Sequence, residues 1–531
     1  MSVYHIPFSA TGYFSKLICD YLDKEPELSE FYENFPDVAG FKNQIEVKKS
    51  SFSATSRQLL NDALKQQYIN TKISEETAQN MGSFLNENTF TVTTGHQLNI
   101  FTGPLYFLYK IVTAINLANR LKKEFPQQNF VPVYWMATED HDFGEIQYFN
   151  IKDTKISWNR ESSGAVGRLT TVGFEAVFEE FSTTLGASEN ADALRELFKN
   201  AYLKNDNLVD AMRYLVNELF GAYGLVIVDG DDVNLKKSMA PFVKEELLHH
   251  TSFKQVSKTD KRLESFAKIQ VNPREINLFY LKDTIRERII FEKDLYKVNN
   301  TTLTFTEKEL LKEVEEHPER FSPNVLLRPL YQEIILPNLA YIGGGGELAY
   351  WFQLKDYFNA VTIPFPILVL RNSVLLATKK QVYKLNKLNI SVPEIFNKQE
   401  VLIKQSIKKL SELKIDFSEQ KKFLQEQFVE LKELAKKTDP TFFGAVNAQE
   451  KKQLNGLDHL EKRLLKAQKR KLSEVVDRIK EVQNELFPNQ SLQERHQNFS
   501  VFYETVGADL IPALLKNTDP LKFEFTVIEF M

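Results

Sequence analysis

Thiols are almost absent from this chain. Its 531 residues carry one cysteine, Cys19, which excludes an intramolecular disulfide and any zinc site built on several cysteines. Nothing around Cys19 marks a low-pKa nucleophile, so a core-filling role is expected. No stretch reaches the roughly 18 apolar residues that a spanning helix needs, so no membrane partner is expected. The opening segment, MSVYHIPFSATGYF, lacks a basic region followed by a long apolar run, so no secretory signal is expected and the protein is placed in the cytoplasm. Charge of one sign is scarce as well. The 67 Lys and Arg against 71 Asp and Glu leave a formal charge of −4, which gives no reason to expect nucleic acid as a partner. The phosphate-binding loop GxxxxGK[ST] is missing, and the one glycine run is not the dinucleotide fingerprint, which argues against a Walker-type site.

What is present is strand-to-polar-cluster punctuation. Phe90–Thr94 (FTVTT) runs into Gly95-His96-Gln97, and a helix is expected over Pro104–Phe125 after the Gly103-Pro104 break. Val131–Ala137 runs into Glu139-Asp140-His141-Asp142, and Leu225–Asp229 (LVIVD) stops at Gly230-Asp231-Asp232. In an open parallel sheet, ligands bind outside the carboxyl ends of the strands. A packed core has no use for such polar runs, because burying them unpaired is costly. Short apolar strands alternating with amphipathic helices predict a doubly wound α/β sheet. The expected layout is a core over 1–375 with a helical lead-in to about 88 and insertions near 150–190 and 255–305. The first insertion is expected to be β-rich, and the second carries strand signals at Ile276–Leu281 and Arg288–Phe291.

From about 375 glycine nearly vanishes. Ile403, Ile407, Leu410, Phe417, Leu424, Phe428, Leu431 and Ala435 follow a 4-then-3 spacing, interrupted at Lys414 and Lys421. The pattern restarts after Asp439-Pro440 with Leu457, Leu460 and Leu464 and continues to Leu486. Two helices of ~35 residues in an antiparallel coiled-coil hairpin are predicted over 376–490. Such an arm is ~50 Å long. Residues 491–531 are expected to return to the core, ending in a strand at Phe523–Phe530.

The candidate site residues follow from position. Gly343–Gly346 is a four-glycine run with Glu347 opening the next helix, suited to close approach of backbone N–H groups to an anion; the alternative is a plain turn. Glu139, Asp140, His141 and Asp142 suit acid/base work or a substrate ammonium; the alternative is a solvated turn. His96 and Gln97 are donors for a carboxylate or phosphate, or a structural pair. Arg328, before Pro329, is expected to be extended and to pair with a carboxylate or phosphate, or with one of these acids. Lys110 shares a helix face with Tyr106 and either reaches a phosphate or points to solvent. Trp351 and Tyr350 wall a pocket or pack in the core.

Taken together, TTGHQLNIFTGPLYFLYK, PVYWMATEDHDFGEI, YGLVIVDGDD, VLLRPLYQEIILPNLAYIGGGGELAYWFQLKDYF and the long arm closely resemble the bacillithiol biosynthesis cysteine-adding enzyme family (BshC), over nearly the whole chain. Two departures are His96, where relatives are expected to carry glutamine, and GGGGE, where GGPGE is common. The resemblance implies a Rossmann-like core similar to class I aminoacyl-tRNA synthetases, with connecting insertions and a coiled coil that forms homodimers. It implies ligation of L-cysteine to the amino group of glucosaminyl malate through an activated carboxylate, with ATP and magnesium expected as cosubstrate. No zinc or other metal site is expected, since no cysteine/histidine set is present. Carried onto this chain, the resemblance makes His96, Gln97, Glu139, Asp140, His141 and Asp142 the catalytic candidates. Gly95, Gly103, Tyr106, Lys110, Arg328, Gly343, Gly344, Gly345, Gly346, Glu347 and Trp351 are the binding candidates. The rival readings are another carboxylate–amine ligase or nucleotidyl transferase on the same fold, and a non-catalytic assembly protein.

Overall fold

The structure, a computed structural model, describes residues 2–411, 413 and 415–530. The chain divides into two compact units. One comprises His5–Leu375 and Gln493–Ile528, and the other Leu376–Leu492 with a few residues from each terminus.

The first unit is built on five strands: β1 (Thr89–His96), β2 (Asn129–Met136), β3 (Val226–Asp229), β4 (Asn338–Gly343) and β5 (Ile367–Leu370). Their spatial order is β3-β2-β1-β4-β5, with every neighbouring pair parallel. This is a doubly wound order that reverses direction between β1 and β4, where a ligand crevice is expected. The strands are almost wholly buried runs of β-branched and aromatic residues, as a sheet covered on both faces requires. Pro132 falls just ahead of Val133, the first β2 residue paired with β3, so its missing N–H costs no bond on that side. Helix α1 (Tyr106–Glu124) lays Ala114, Leu117, Ala118 and Leu121 against Phe90, Val92, Phe130 and Ile342. Three further helices shape the site: α2 (Val233–His249), α3 (Arg328–Ile335) and α4 (Gly345–Phe352).

Three local expectations are corrected. The first insertion is β-rich only in the hairpin Tyr148–Ile151 with Thr154–Ser157, and from Phe174 it is helical. Ser9–Tyr13 (SATGY), which reads as a loop in the lead-in, is not all loop, because Phe8–Thr11 forms a helical turn ended by Gly12 at φ 73°. Arg328 is helical rather than extended. Pro329 sits in the first turn of α3, where a backbone N–H has no helical acceptor in any case. The second insertion does contain antiparallel strands, Leu278–Lys282 and Ile285–Glu292, within a five-stranded sheet.

In the second unit, α5 (Ser418–Ala435) and α6 (Pro440–Lys471) run antiparallel. Lys421 meets Asp458 at 2.6 Å and Glu461 at 2.8 Å, while Lys432 meets Glu450 nearer the turn. The lysine that breaks the apolar repeat is thus an ion-pair position; Lys414 lies outside the described residues. Phe428, Ala435 and Val446 form the seam, while Leu431 and Leu460 are about half exposed, at 45% and 51%, and do not belong to it. The first helix is also not continuous. It stops at Leu410 and restarts at Ser418, whose N–H and hydroxyl are held by Asp416. The expected final strand is found at Glu524–Phe530.

One buried ion pair ties the lead-in helix Val38–Ser51 to α3. Lys48 Nζ lies 3.1 Å from Glu333 Oε2, with both side chains at most 1% exposed. Asn338 and Gln332 also donate to Glu333. Lys48→Met leaves this carboxylate buried without its cation, and urea unfolding is expected to show a loss of about 3–5 kcal/mol. A loss below about 1 kcal/mol would contradict the role given to the pair.

Candidate active site

Strand register brings the polar clusters level. Thr94 lies opposite Ile342, Gly95 opposite Trp135, His96 opposite Met136, and Met136 opposite Asp229. The glycine run begins where β4 ends. A Cβ on Gly343 would come within 2.6 Å of Leu348 and 3.1 Å of Glu347, so glycine is required there by close packing. Gly344 caps α4, its N–H donating to Glu347 Oε2 at 2.8 Å. Gly345 and Gly346 occupy the first turn, where helix geometry leaves N–H groups without a carbonyl. They line a cavity of about 220 Å³ with Tyr13, Ser15, Arg371 and Arg495.

Ion pairs, one half-buried and one buried, brace this edge. Lys110, only 4% exposed, reaches Glu347 Oε2 at 2.7 Å and donates to the Gly95 carbonyl at 2.8 Å. It therefore does not point to solvent. Tyr341 donates to the other oxygen of Glu347 at 2.8 Å. Burial alone would raise the Glu347 carboxyl; the Lys110 ammonium and the Gly344 N–H outweigh it and hold the group below its usual range. Burial pulls Lys110 down, and Glu347 only partly opposes that. Beside them Arg371, at the end of β5, pairs with the fully buried Glu494 at 2.7 Å. Tyr106 stands under Arg371, 5.4 Å from ring centre to guanidinium, and burial pushes its phenol up to about 12.

Arg328 has no such partner. Among the described residues no carboxylate pairs with it. Nη1 donates to Gln332 at 3.0 Å, while Nη2 is buried with no acceptor. The guanidinium lies 5.7 Å from the Trp135 ring and 5.4 Å from the Tyr341 ring. Gly95 lies against it: a Cβ there would stand 3.5 Å from Nη1, an ordinary contact. Trp351 is not a wall of the crevice; it is fully buried and packs 4.6 Å from Tyr341, behind it. Gly103 is a turn residue at φ 62°, where a Cβ would strike Asn99 at 2.7 Å.

The other flank is acidic. Gln97 donates to Asp140 and Glu145, both at 2.7 Å, so it bridges the two sequence clusters instead of facing a ligand. Asp140 also accepts the N–H groups of His141 and Asp142, and Asp142 caps the short helix Phe143–Ile146. Glu139 is bound by Lys236 of α2 at 2.6 Å, and Lys236 also holds Asp231 at 2.9 Å. Arg168 reaches Asp231 at 3.0 Å. His141 accepts from Arg286 of the second insertion at 2.6 Å through Nδ1. Burial, then the Arg286 charge, lowers the His141 pKa. His96 differs: it packs against Phe107 and Tyr106, and its Nε2 is buried without a partner. Burial, with Lys110 and Arg371 nearby, holds it well below the usual imidazole range.

Lys236, Arg168, Arg286, Arg371, Glu494 and Asp229 carry much of this site and were not among the sequence candidates. Arg371 and Asp229 end strands, so the strand-end rule would have found them. The others arrive from insertions and helix turns that carry no local signal.

Residues 1–372 match the family described as bacillithiol biosynthesis BshC, N-terminal Rossmann-like domain, and residues 374–530 match its C-terminal coiled-coil domain. The chain belongs to the BshC family. It is 55% identical to a protein of Flavobacterium johnsoniae over 98% of this chain and 99% of that one. A Bacillus anthracis relative is 28% identical, covering 94% of this chain and 95% of the relative. Both carry the name "Putative cysteine ligase BshC". A solved chain titled as a putative arginyl tRNA synthetase from Campylobacter jejuni covers 87% of this chain and 98% of its own at 12% identity, with a TM-score of 0.22, too low to carry an argument.

In this BshC protein His96 is expected to stay neutral at pH values where a free imidazole, with a pKa near 6.5, takes a proton. A ring carbon NMR titration checks this; a His96 midpoint at 6.5 or above would contradict it. The sign follows from linkage. A histidine depressed in the folded state contributes stability above the unfolded pKa, and that stability is lost as pH falls below it.

Proposed function

We propose that this chain joins L-cysteine to the amino group of glucosaminyl malate, through an activated cysteinyl carboxylate, with Mg-ATP as cosubstrate. The observation that carries the reading is the unneutralised Arg328 guanidinium in the switch-point crevice, set between the glycine-opened helix α4 and the acidic flank. Membership of a family whose relatives are named cysteine ligases supports it. A guanidinium with unused donors takes a carboxylate or phosphate. The first-turn N–H groups of Gly345 and Gly346, with Arg495 on the same cavity, favour a second anion. ATP would supply the activation of the carboxylate. The cavity of about 220 Å³ fits its phosphates better than a whole nucleotide. Among the described residues no cluster of three or more His, Cys, Asp and Glu is placed to hold a metal, so magnesium would ride on the phosphates and water. His141, with Nδ1 occupied by Arg286, is a poor proton acceptor. His96, held neutral by burial beside Lys110 and Arg371, is a poor proton acceptor as well, and suits a hydrogen-bonding role instead.

A mass-spectrometric turnover assay with cysteine and glucosaminyl malate tests the reading. Product that requires ATP is expected, and Arg328→Ala should lower kcat/KM by about 100-fold, the scale of a lost charge-assisted contact. Turnover of other acid–amine pairs without need of cysteine would favour the broader ligase reading. No turnover from folded protein would contradict the enzyme reading and favour a binding role.

We also propose that the protein acts in the cytoplasm and that the arm pairs two copies. Phe423, Leu431, Leu434 and Leu460 present 45–62% of their surface along it. Light scattering should give a dimer for the wild type and a monomer for Leu431→Lys with Leu434→Lys. A wild-type monomer would contradict this assignment.

A further inference from the structure

Charges in the crevice pair off with few exceptions. Lys110 meets Glu347, Arg371 meets Glu494, and Lys236 with Arg168 takes up Glu139 and Asp231. Arg328, and Arg495 on the cavity beside Gly345, are left without a carboxylate partner among the described residues. Asp229 is left over as an anion, since no lysine, arginine or histidine among the described residues pairs with it. Asp140 and Asp142 also lack a lysine or arginine, but both Asp140 oxygens are occupied by turn N–H groups and Gln97, and Asp142 spends Oδ1 on capping an exposed turn.

Asp229 is placed with care. It closes β3 in the row that holds Met136 and His96 at the carboxyl edge. The Gln67 amide accepts its N–H at 2.9 Å and donates to its carbonyl at 2.9 Å. Arg213 in turn donates to Gln67 at 3.3 Å and to the Ile227 carbonyl at 3.0 Å. The side chain is half-buried, and one oxygen, Oδ1, takes both of its donors: the Thr138 hydroxyl and, at 2.9 Å, the Asp231 N–H. Oδ2 takes none from the described residues. The charged and titratable groups facing it are Asp231 on the next turn, Arg213 from helix Leu208–Phe220, Tyr134 of β2 and Tyr331 of α3.

We propose that Asp229 is the residue that binds the ammonium of an amine substrate, with Oδ2 receiving one of its three N–H donors. Either reactant of the ligation carries such a group: the α-ammonium of cysteine or the sugar ammonium. The shared chemistry is a primary alkylammonium, and the assignment rests on the ligase reading above. The adjacent Asp231 and the nearby Glu139 compete less, because Lys236 and Arg168 already neutralise them. Burial, then Asp231, pushes the empty carboxyl up to about 6, so the site is largely charged at neutral pH and loses its ligand in mild acid.

The test compares wild type with Asp229→Asn by calorimetric titration. The probes are cysteine against 3-mercaptopropionate, and glucosaminyl malate against the matching glucosyl malate. Wild type is expected to prefer one amine over its amine-free analogue at least tenfold, and Asp229→Asn to lose that preference; the pair that responds names the ammonium. The acidic limb of kcat/KM near pH 6 should disappear with it. A retained preference, or a fall in kcat with KM and preference intact, would overturn the assignment. Wild-type binding with preference but without turnover would count against the ligase reading and leave the assignment standing. Should Asp229→Asn fail to fold, Thr138→Val decides. Removing a hydrogen bond to the charged form must move the limb to higher pH, and an unmoved limb overturns the proposal.

Discussion

The contact of the buried Lys110 with the half-buried Glu347 is the constraint on which the rest of the site depends. One ammonium from α1 holds the Gly95 carbonyl near the end of β1 and the first-turn carboxylate of α4, while that carboxylate holds Tyr341 of β4 and the Gly344 N–H. Four elements meeting at the point where strand order reverses are thereby fixed in register. A largely buried pair of this kind adds little net stability against an apolar replacement, but losing one partner costs several kcal/mol. Its value lies in position. It keeps the crevice edge rigid and places positive charge behind the glycine turn without exposing it.

The crevice is arranged around charges that cancel, and function is concentrated where they do not. Arg371 with Glu494, and Lys236 with Glu139 and Asp231, brace the two flanks. Arg328, stacked between Trp135 and Tyr341, keeps unused donors on one flank, and Asp229 keeps an unused acceptor on the other. A site of this polarity suits a reaction that brings an anion and an amine together. The unpaired groups are preorganised by neighbours, so they do not have to reorganise as substrate arrives.

Much of the fold was legible in the sequence. Runs rich in β-branched and aromatic residues mark β1, β2 and β3, and the 3.6-residue apolar stripe marks α1, because burial on both sheet faces leaves few polar alternatives. The strand-end clusters at Gly95–Gln97 and Glu139–Asp142 and the glycine run do converge on one sheet edge. Individual roles were not legible. Lys110 reads as a surface lysine on an amphipathic helix, and its burial depends on Glu347, 237 positions later in the chain. Gln97 reads as a ligand donor but serves Asp140 and Glu145. Arg328 reads as extended because local sterics before proline favour that, yet a first helical turn tolerates the proline. In the arm, heptad spacing found both helices, but not the stop at Leu410 or the exposure of Leu431 and Leu460, which depend on pairing across the hairpin.

On the function proposed above, cysteine is activated and joined in the crevice between β1 and β4. A crystal structure with a non-hydrolysable cysteinyl-adenylate analogue and glucosaminyl malate tests it most directly. The account predicts the analogue at the amino end of α4 and Arg328 paired with a ligand carboxylate or phosphate. Ligand bound elsewhere, with Arg328 still lacking an anionic partner, would contradict it.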